Sequence, residues 1–139
     1  MTKFSTSITI NSSQETAWNV LSNVAHWHEW TPTVNKVEVL NTSELKLGNR
    51  YKVFQPKLQP VVWTVTELNS ANFTWESKAP GMLVAEHVVK SVNANQSEVT
   101  LTFAFNGWLG NLIGKMYGKM TEEYIQTEAQ SLKKRVETS

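Results

Sequence analysis

Three histidines, three tyrosines and no cysteine bound the chemistry open to this chain of 139 residues. His87 stands in a stretch where Glu86 and Lys90 share one parity and Leu83, Ala85, His87 and Val89 the other. Alternation of that kind predicts a strand with His87 on its inward face. An inward imidazole could orient a ligand hydroxyl or carbonyl, or move a proton near neutral pH. It could equally be a core histidine satisfied by one hydrogen bond. His26 and His28 flank Trp27, and residues two apart on a helix do not face one way. A zinc site needs three or four ligands, and only Glu29 is near them, so no metal is expected there. Their expected place is in solvent near a cavity mouth. The chain has no Gly-x-Ser-x-Gly, no HExxH, no phosphate loop and no dinucleotide fingerprint. Catalysis, if there is any, would rest on His87 and Tyr51, with Tyr117 or Tyr124, and no cofactor is expected.

The elements that must position these groups follow from hydrophobic period. Phe4, Thr6, Ile8 and Ile10 alternate with polar residues as a first half-buried strand. Ser12, three residues before Glu15, has the spacing of a capping box. It predicts a helix that turns Ala17, Trp18, Val20, Leu21 and Val24 inward. A second short helical turn is expected from Ala25 to Trp30, ended by Pro32. Short strands follow: Val37 and Val39; Tyr51 and Val53 inward with Arg50 and Lys52 outward and Phe54 unassigned; Val61, Trp63 and Val65; Phe73 and Trp75. Ala79-Pro80-Gly81 reads as a turn. After the His87 strand, Val99, Leu101, Phe103 and Phe105 make the cleanest alternation, and Asn106-Gly107 turns the chain into a long helix. Apolar residues at Leu109, Leu112, Ile113, Met116, Tyr117, Met120, Tyr124, Leu132 and Val136 mark that helix and predict one face toward the sheet. Roughly 28 residues at about 1.5 Å each make a rod of about 42 Å. The order predicts one α+β domain over residues 1–139, an antiparallel meander curved around the last helix.

Gly110, Gly114 and Gly118 recur every fourth residue on this helix. They imply either close approach of another surface or a flexible first half that acts as a gate when ligand enters. The triplet Lys133-Lys134-Arg135 reads as a solvated helix end, where cations complement the dipole.

The totals exclude several classes. A net charge of +1 without a long basic run argues against a nucleic-acid surface. No apolar run approaches membrane-spanning length, and the first ten residues alternate like a strand rather than a secretory leader. The expected compartment is the cytoplasm. Six tryptophans are an excess for this length and imply an aromatic core or a lined cavity.

Together, Ile8-x-Ile10, Ala17-Trp18-x-x-Leu21, Trp27-x-x-Trp30-x-Pro32, Trp63-x-Val65, Gly81 followed by His87, Gly107-x-Leu109-Gly110 and Leu132-Lys133 form an ordered set. Over essentially the whole chain this set resembles the START-like (Bet v 1-like, SRPBCC) superfamily, and within it the bacterial polyketide cyclase/dehydrase and lipid-transport group. Asn93-Ala94-Asn95-Gln96 departs from the Thr or Gly-Thr common at the last hairpin. The resemblance implies a helix-grip fold: about seven strands wrapped around the C-terminal helix, with an apolar cavity between. It implies binding of a small hydrophobic ligand, a lipid, a polyketide-like or an aromatic compound. The residues expected to line that cavity are Trp30, Tyr51, Trp63, Trp75, His87, Phe103, Phe105, Met116 and Met120. Two alternatives stand beside it: a cyclase or aromatase in which His87 is the acid/base, and a stress-linked protein-interaction module. A monomer or homodimer is expected, without stable membrane insertion.

Overall fold

The computed structural model describes residues 2–78 and 82–138. The expected turn at Ala79-Pro80-Gly81 lies outside the described residues. Seven strands form one antiparallel sheet in the order β1-β7-β6-β5-β4-β3-β2. They are β1 (Thr2–Ile10), β2 (Lys36–Val39), β3 (Arg50–Phe54), β4 (Val61–Asn69), β5 (Asn72–Ser77), β6 (Met82–Asn93) and β7 (Gln96–Asn106). Helix α1 (Gln14–Leu21) and a 3-10 helix (Val24–Glu29) follow β1, and α2 (Gly107–Glu137) closes the chain. This is the helix-grip arrangement. Strands β2 to β7 run as a meander, and β1 closes onto β7.

The inward parities hold where both faces were legible. Leu83, Ala85, His87 and Val89 are buried on β6, and Tyr51 and Val53 on β3. Phe54 turns outward, where the ammonium groups of Lys36 and Lys52 lie 5.3 and 5.4 Å from its ring centroid. Glu67 does not join the inward face of Trp63. A register shift between Val65 and Glu67 breaks the alternation and leaves Glu67 exposed. The cap of α1 is Ser13 rather than Ser12: its side chain accepts a hydrogen bond from the Thr16 backbone N–H at 3.2 Å.

The largest correction concerns which face of α2 meets the sheet. Leu109, Leu112, Met116 and Tyr117 are solvent-exposed, Met116 by 70%. The face against the sheet in that half is Gly110, Gly114 and Gly118. A Cβ on Gly114 would sit 2.9 Å from Thr2 Cβ and 3.1 Å from Phe105 Cδ2, and one on Gly118 2.7 Å from Phe4 Cζ. The stripe serves close approach: without side chains the helix backbone lies directly on β1 and β7. Leucine and methionine one position around the helix are thereby turned to water. Gly107, with φ of +76°, makes the sharp entry that a side chain would oppose.

Gly114→Ala tests that contact. Helix propensity alone would favour alanine by up to about 1 kcal/mol. Overpacking against two fixed neighbours costs about 1–3 kcal/mol. We expect a net loss of about 1 kcal/mol in urea unfolding; a net gain would show that the helix can lift off the sheet at no penalty.

The far end of α2 is tied down differently. Lys133 donates to the Thr9 carbonyl at 2.8 Å and to the Glu137 carboxylate at 2.6 Å. Arg135 reaches Glu29 at 3.2 Å. Two members of the basic triplet therefore clamp α2 to β1 and to the 3-10 helix, beyond complementing the helix dipole.

Candidate functional site

The concave face of the sheet carries an aromatic cluster built from alternating positions. Trp63 on β4 and Trp75 on β5 stack at 5.4 Å with 19° between their planes. Phe103 on β7 meets Trp63 edge-on at 5.6 Å. Trp27 enters from the 3-10 helix, 5.3 Å from Trp75 and 5.5 Å from His87. Its indole N–H donates to the Leu21 carbonyl at 2.8 Å, which fixes the ring's orientation. These rings do not fill the space beneath α2. A cavity of about 50 Å³ remains, walled by Trp27, Trp63, Trp75 and Phe103, with His87 on β6 and Glu128 on α2.

His87 is buried, stacked face to face on Phe73 at 4.0 Å and edge-on to Trp75 at 5.4 Å. Its Nδ1 lies 3.2 Å from the Phe73 carbonyl oxygen. A carbonyl only accepts, so Nδ1 carries the proton and Nε2 holds the free lone pair. Burial, against a smaller opposing effect of the Phe73 hydrogen bond, lowers the imidazole pKa to about 4. His87 is thus neutral at physiological pH.

Glu128 is 9% exposed. Among the described residues its carboxyl has no hydrogen-bond or ion-pair partner, and burial pushes its pKa up to about 7. Among the described residues lining the cavity, Glu86, His87 and Glu128 are the acidic or basic side chains, and Glu86 is exposed. None is a lysine or arginine. The site offers aromatic surface, one neutral imidazole and one carboxyl poised between its two protonation states.

The expected residues divide around this cavity. Trp63, Trp75, His87 and Phe103 line it. Tyr51 is wholly buried but spent elsewhere: its hydroxyl donates to the Glu44 carbonyl at 3.3 Å, and burial raises its pKa. Trp30 packs on Trp27 at 6.0 Å, outside the lining. Phe105 packs against Phe4 and Phe103 and beneath Gly110 and Gly114. Met116 points to solvent and Met120 is half-buried, because α2 presents glycines instead. Tyr124 donates its hydroxyl to the Pro56 carbonyl at 2.6 Å, fastening α2 to the β3–β4 loop. His26 and His28 are exposed. The His26 Nδ1 is 2.6 Å from Glu29, whose carboxyl is held below its usual range, first by that hydrogen bond. Among the described residues no group of three or more His, Asp or Glu side chains converges as a metal would require.

Of the lining residues outside the expected set, Trp27 and Glu128 each carry a readable signal in the sequence. Trp27 is three residues after Val24, and in a 3-10 helix that spacing puts both on one face; both are buried. Glu128 lies four residues after Tyr124 and four before Leu132, on the inward stripe of α2. A charge within an apolar stripe was the cue.

No protein of curated function matches the chain. Its fold is similar to that of ZhuI aromatase/cyclase from Streptomyces sp. R1128, at 16% identity and a TM-score of 0.77 over 97% of this chain and 93% of that one. It is similar also to a START superfamily protein from Mycobacterium smegmatis, at 14% identity and 0.75 over 98% and 97%. A hypothetical protein from Helicobacter pylori gives 14% and 0.81 over 96% and 87%. At such identities the likeness is one of fold. Among the described residues no helix is long and apolar enough to cross a membrane. The family model described as polyketide cyclase/dehydrase and lipid transport matches residues 1–137, and the chain belongs to that family.

Proposed function

We propose that this chain binds a small hydrophobic compound, a lipid, a polyketide-like molecule or an aromatic, between the concave sheet and α2. The observation that carries this reading is the cavity whose walls are the rings of Trp27, Trp63, Trp75 and Phe103. The driving term would be apolar burial, about 25 cal/mol per Å². Pockets for drug-sized ligands run to roughly 300–1,000 Å³, so the 50 Å³ present must grow on entry. The half of α2 from Leu109 to Met120 is the part able to yield. Its outer face is already wet, and it is held by glycine contacts, by the Thr2 hydroxyl donating to Asn111 at 3.2 Å, by the half-buried Ile113 and, further along, by the Tyr124 hydroxyl on the β3–β4 loop.

The test is native mass spectrometry of purified protein before and after organic extraction, followed by titration of the extracted protein with toluene. A species removed by extraction, or saturable toluene binding that perturbs the tryptophan fluorescence, is the expected result. A clean mass together with no saturable toluene binding overturns the reading.

A second reading is favoured by one feature. Glu128 is a second titratable group beside His87 along the same cavity, which is the minimum an acid/base enzyme of the cyclase or aromatase type needs. If His87→Ala or Glu128→Gln retains the bound molecule but stops its conversion, the protein is the enzyme. If either substitution only weakens retention, it is a binder.

A further inference from the structure

The Glu128 carboxyl, the His87 lone pair and the aromatic faces of the cavity ask for the same kind of partner. The Glu128 side chain lines the space nine-tenths buried, and its carboxyl has no partner among the described residues. His87 spends its N–H on the Phe73 carbonyl and keeps an acceptor lone pair at Nε2. Gln55, which also lines the space, has an amide that can accept through its oxygen and donate through its nitrogen. The indole and phenyl faces around them carry negative quadrupole charge, which attracts cations. No lysine or arginine lines the cavity. Acceptors and π-faces are supplied; a positive charge is missing.

We propose that the cavity selects ligands with an apolar or aromatic body whose buried end is an amine, the protonated nitrogen donating to Glu128 and held among the rings of Trp27, Trp63 and Trp75. This rests on the proposed function and names its ligand class. An ammonium group brings a positive charge and three N–H donors to the Glu128 carboxyl and the His87 lone pair, and a hydroxyl brings one donor and no charge. A carboxylate or phosphate would face an unpaired carboxyl in a site without a compensating base, and is rejected. The space of about 50 Å³ suits an aminomethyl end, with the rest of the ligand displacing the first half of α2. Burial leaves the Glu128 carboxyl at about 7, so an arriving cation finds it close to ionisation. His87 lines the same cavity from β6, Glu86 is exposed, and Tyr124 on the helix of Glu128 is held by Pro56.

The experiment compares toluene, benzyl alcohol, benzylamine and benzoate by isothermal titration at about pH 7.5, on the full chain and on Glu128→Gln. A hydrogen bond to a charged group contributes enough that benzylamine should bind about tenfold or more tighter than toluene, and benzoate not at all. Glu128→Gln, checked as folded by near-ultraviolet circular dichroism, should keep toluene binding and lose the preference for the amine. Toluene equal to benzylamine, saturable benzoate binding, or an unchanged preference in the variant each overturns the inference while leaving the cavity reading intact. If none of the four compounds binds, the cavity reading fails and takes this inference with it.

Discussion

Trp75→Ala should destabilise the protein by about 3–5 kcal/mol, the range for a buried large aromatic cut to alanine. Trp75 is almost wholly buried and meets the rings of Trp27, Tyr51, Trp63, Phe73 and His87 at 5.3 to 6.1 Å. Those neighbours sit on β3, β4, β5, β6 and the 3-10 helix, so no single element can shift to close the gap. Domains of this size are stable by about 5–15 kcal/mol, and the loss is a large share of that. The control is Trp108→Ala. Trp108 is 80% exposed, and its removal should fall within about 0.5 kcal/mol of no effect. Urea unfolding of both variants separates a tryptophan that builds the core from one that does not. The void left by Trp75 adjoins the cavity of about 50 Å³, so added indole should recover part of the lost stability by mass action. A Trp75→Ala loss no larger than that of Trp108→Ala would mean the cluster collapses onto itself and the cavity is not a rigid feature.

The strands were legible because their parity is a two-fold choice and charged residues settle it. Glu86 and Lys90 put His87 inside, and the structure places it there, 4% exposed. Phe54 shares the outward parity of Lys52 on its own strand, but an outward ring there is explained only once the β2–β3 register brings Lys36 beside it as a second cation. The long helix misled by its composition. Its leucine and methionine stripe and its glycine stripe both recur every three or four residues, and hydrophobicity alone points the larger side chains inward. What decides the matter is distance. The Phe105 backbone lies against Gly110, and the Thr2 and Phe4 side chains lie against Gly114 and Gly118, so a Cβ at any of the three would be crowded; no single-sequence pattern reports how near β1 and β7 come. Glu128 was hidden for the opposite reason: a carboxylate is read as solvated unless its helical phase is compared with Tyr124 and Leu132. The resemblance to the START-like superfamily supplied the topology, and it could not supply the volume left between the rings.

The two buried titratable groups should give opposite pH signatures that nearly cancel in the native protein. The Glu128 pKa is about 7 in the folded chain against an ordinary 4.5. Its favourable term is therefore fully present below 4.5 and is lost as pH rises through 7, because the unfolded chain ionises first. The His87 pKa is about 4 folded against 6.5. Its term is fully present above 6.5 and is lost as pH falls through 4, because the unfolded chain takes up the proton first. At about 1.4 kcal/mol per pH unit, each is worth about 3 kcal/mol. Across the overlap from about 4.5 to 6.5 the slopes are equal and opposite. Single variants remove one side of the balance. Glu128→Gln should gain about 3 kcal/mol over the native protein near pH 8 and lose that advantage toward pH 4.5. His87→Phe keeps a ring against Phe73 but leaves the Phe73 carbonyl without its donor, which costs about 1–3 kcal/mol near pH 8. Relative to the native protein it should then recover about 3 kcal/mol as pH falls to about 4. The exposed carboxylates Glu29 and Glu137, held low first by their hydrogen bonds with His26 and Lys133, titrate alike in every variant and drop out of the differences. Urea midpoints measured for the three proteins from about pH 4 to pH 8 read this directly. Differences that stay constant with pH would show that Glu128 and His87 reach water in the native state, and that the cavity between them is open rather than buried.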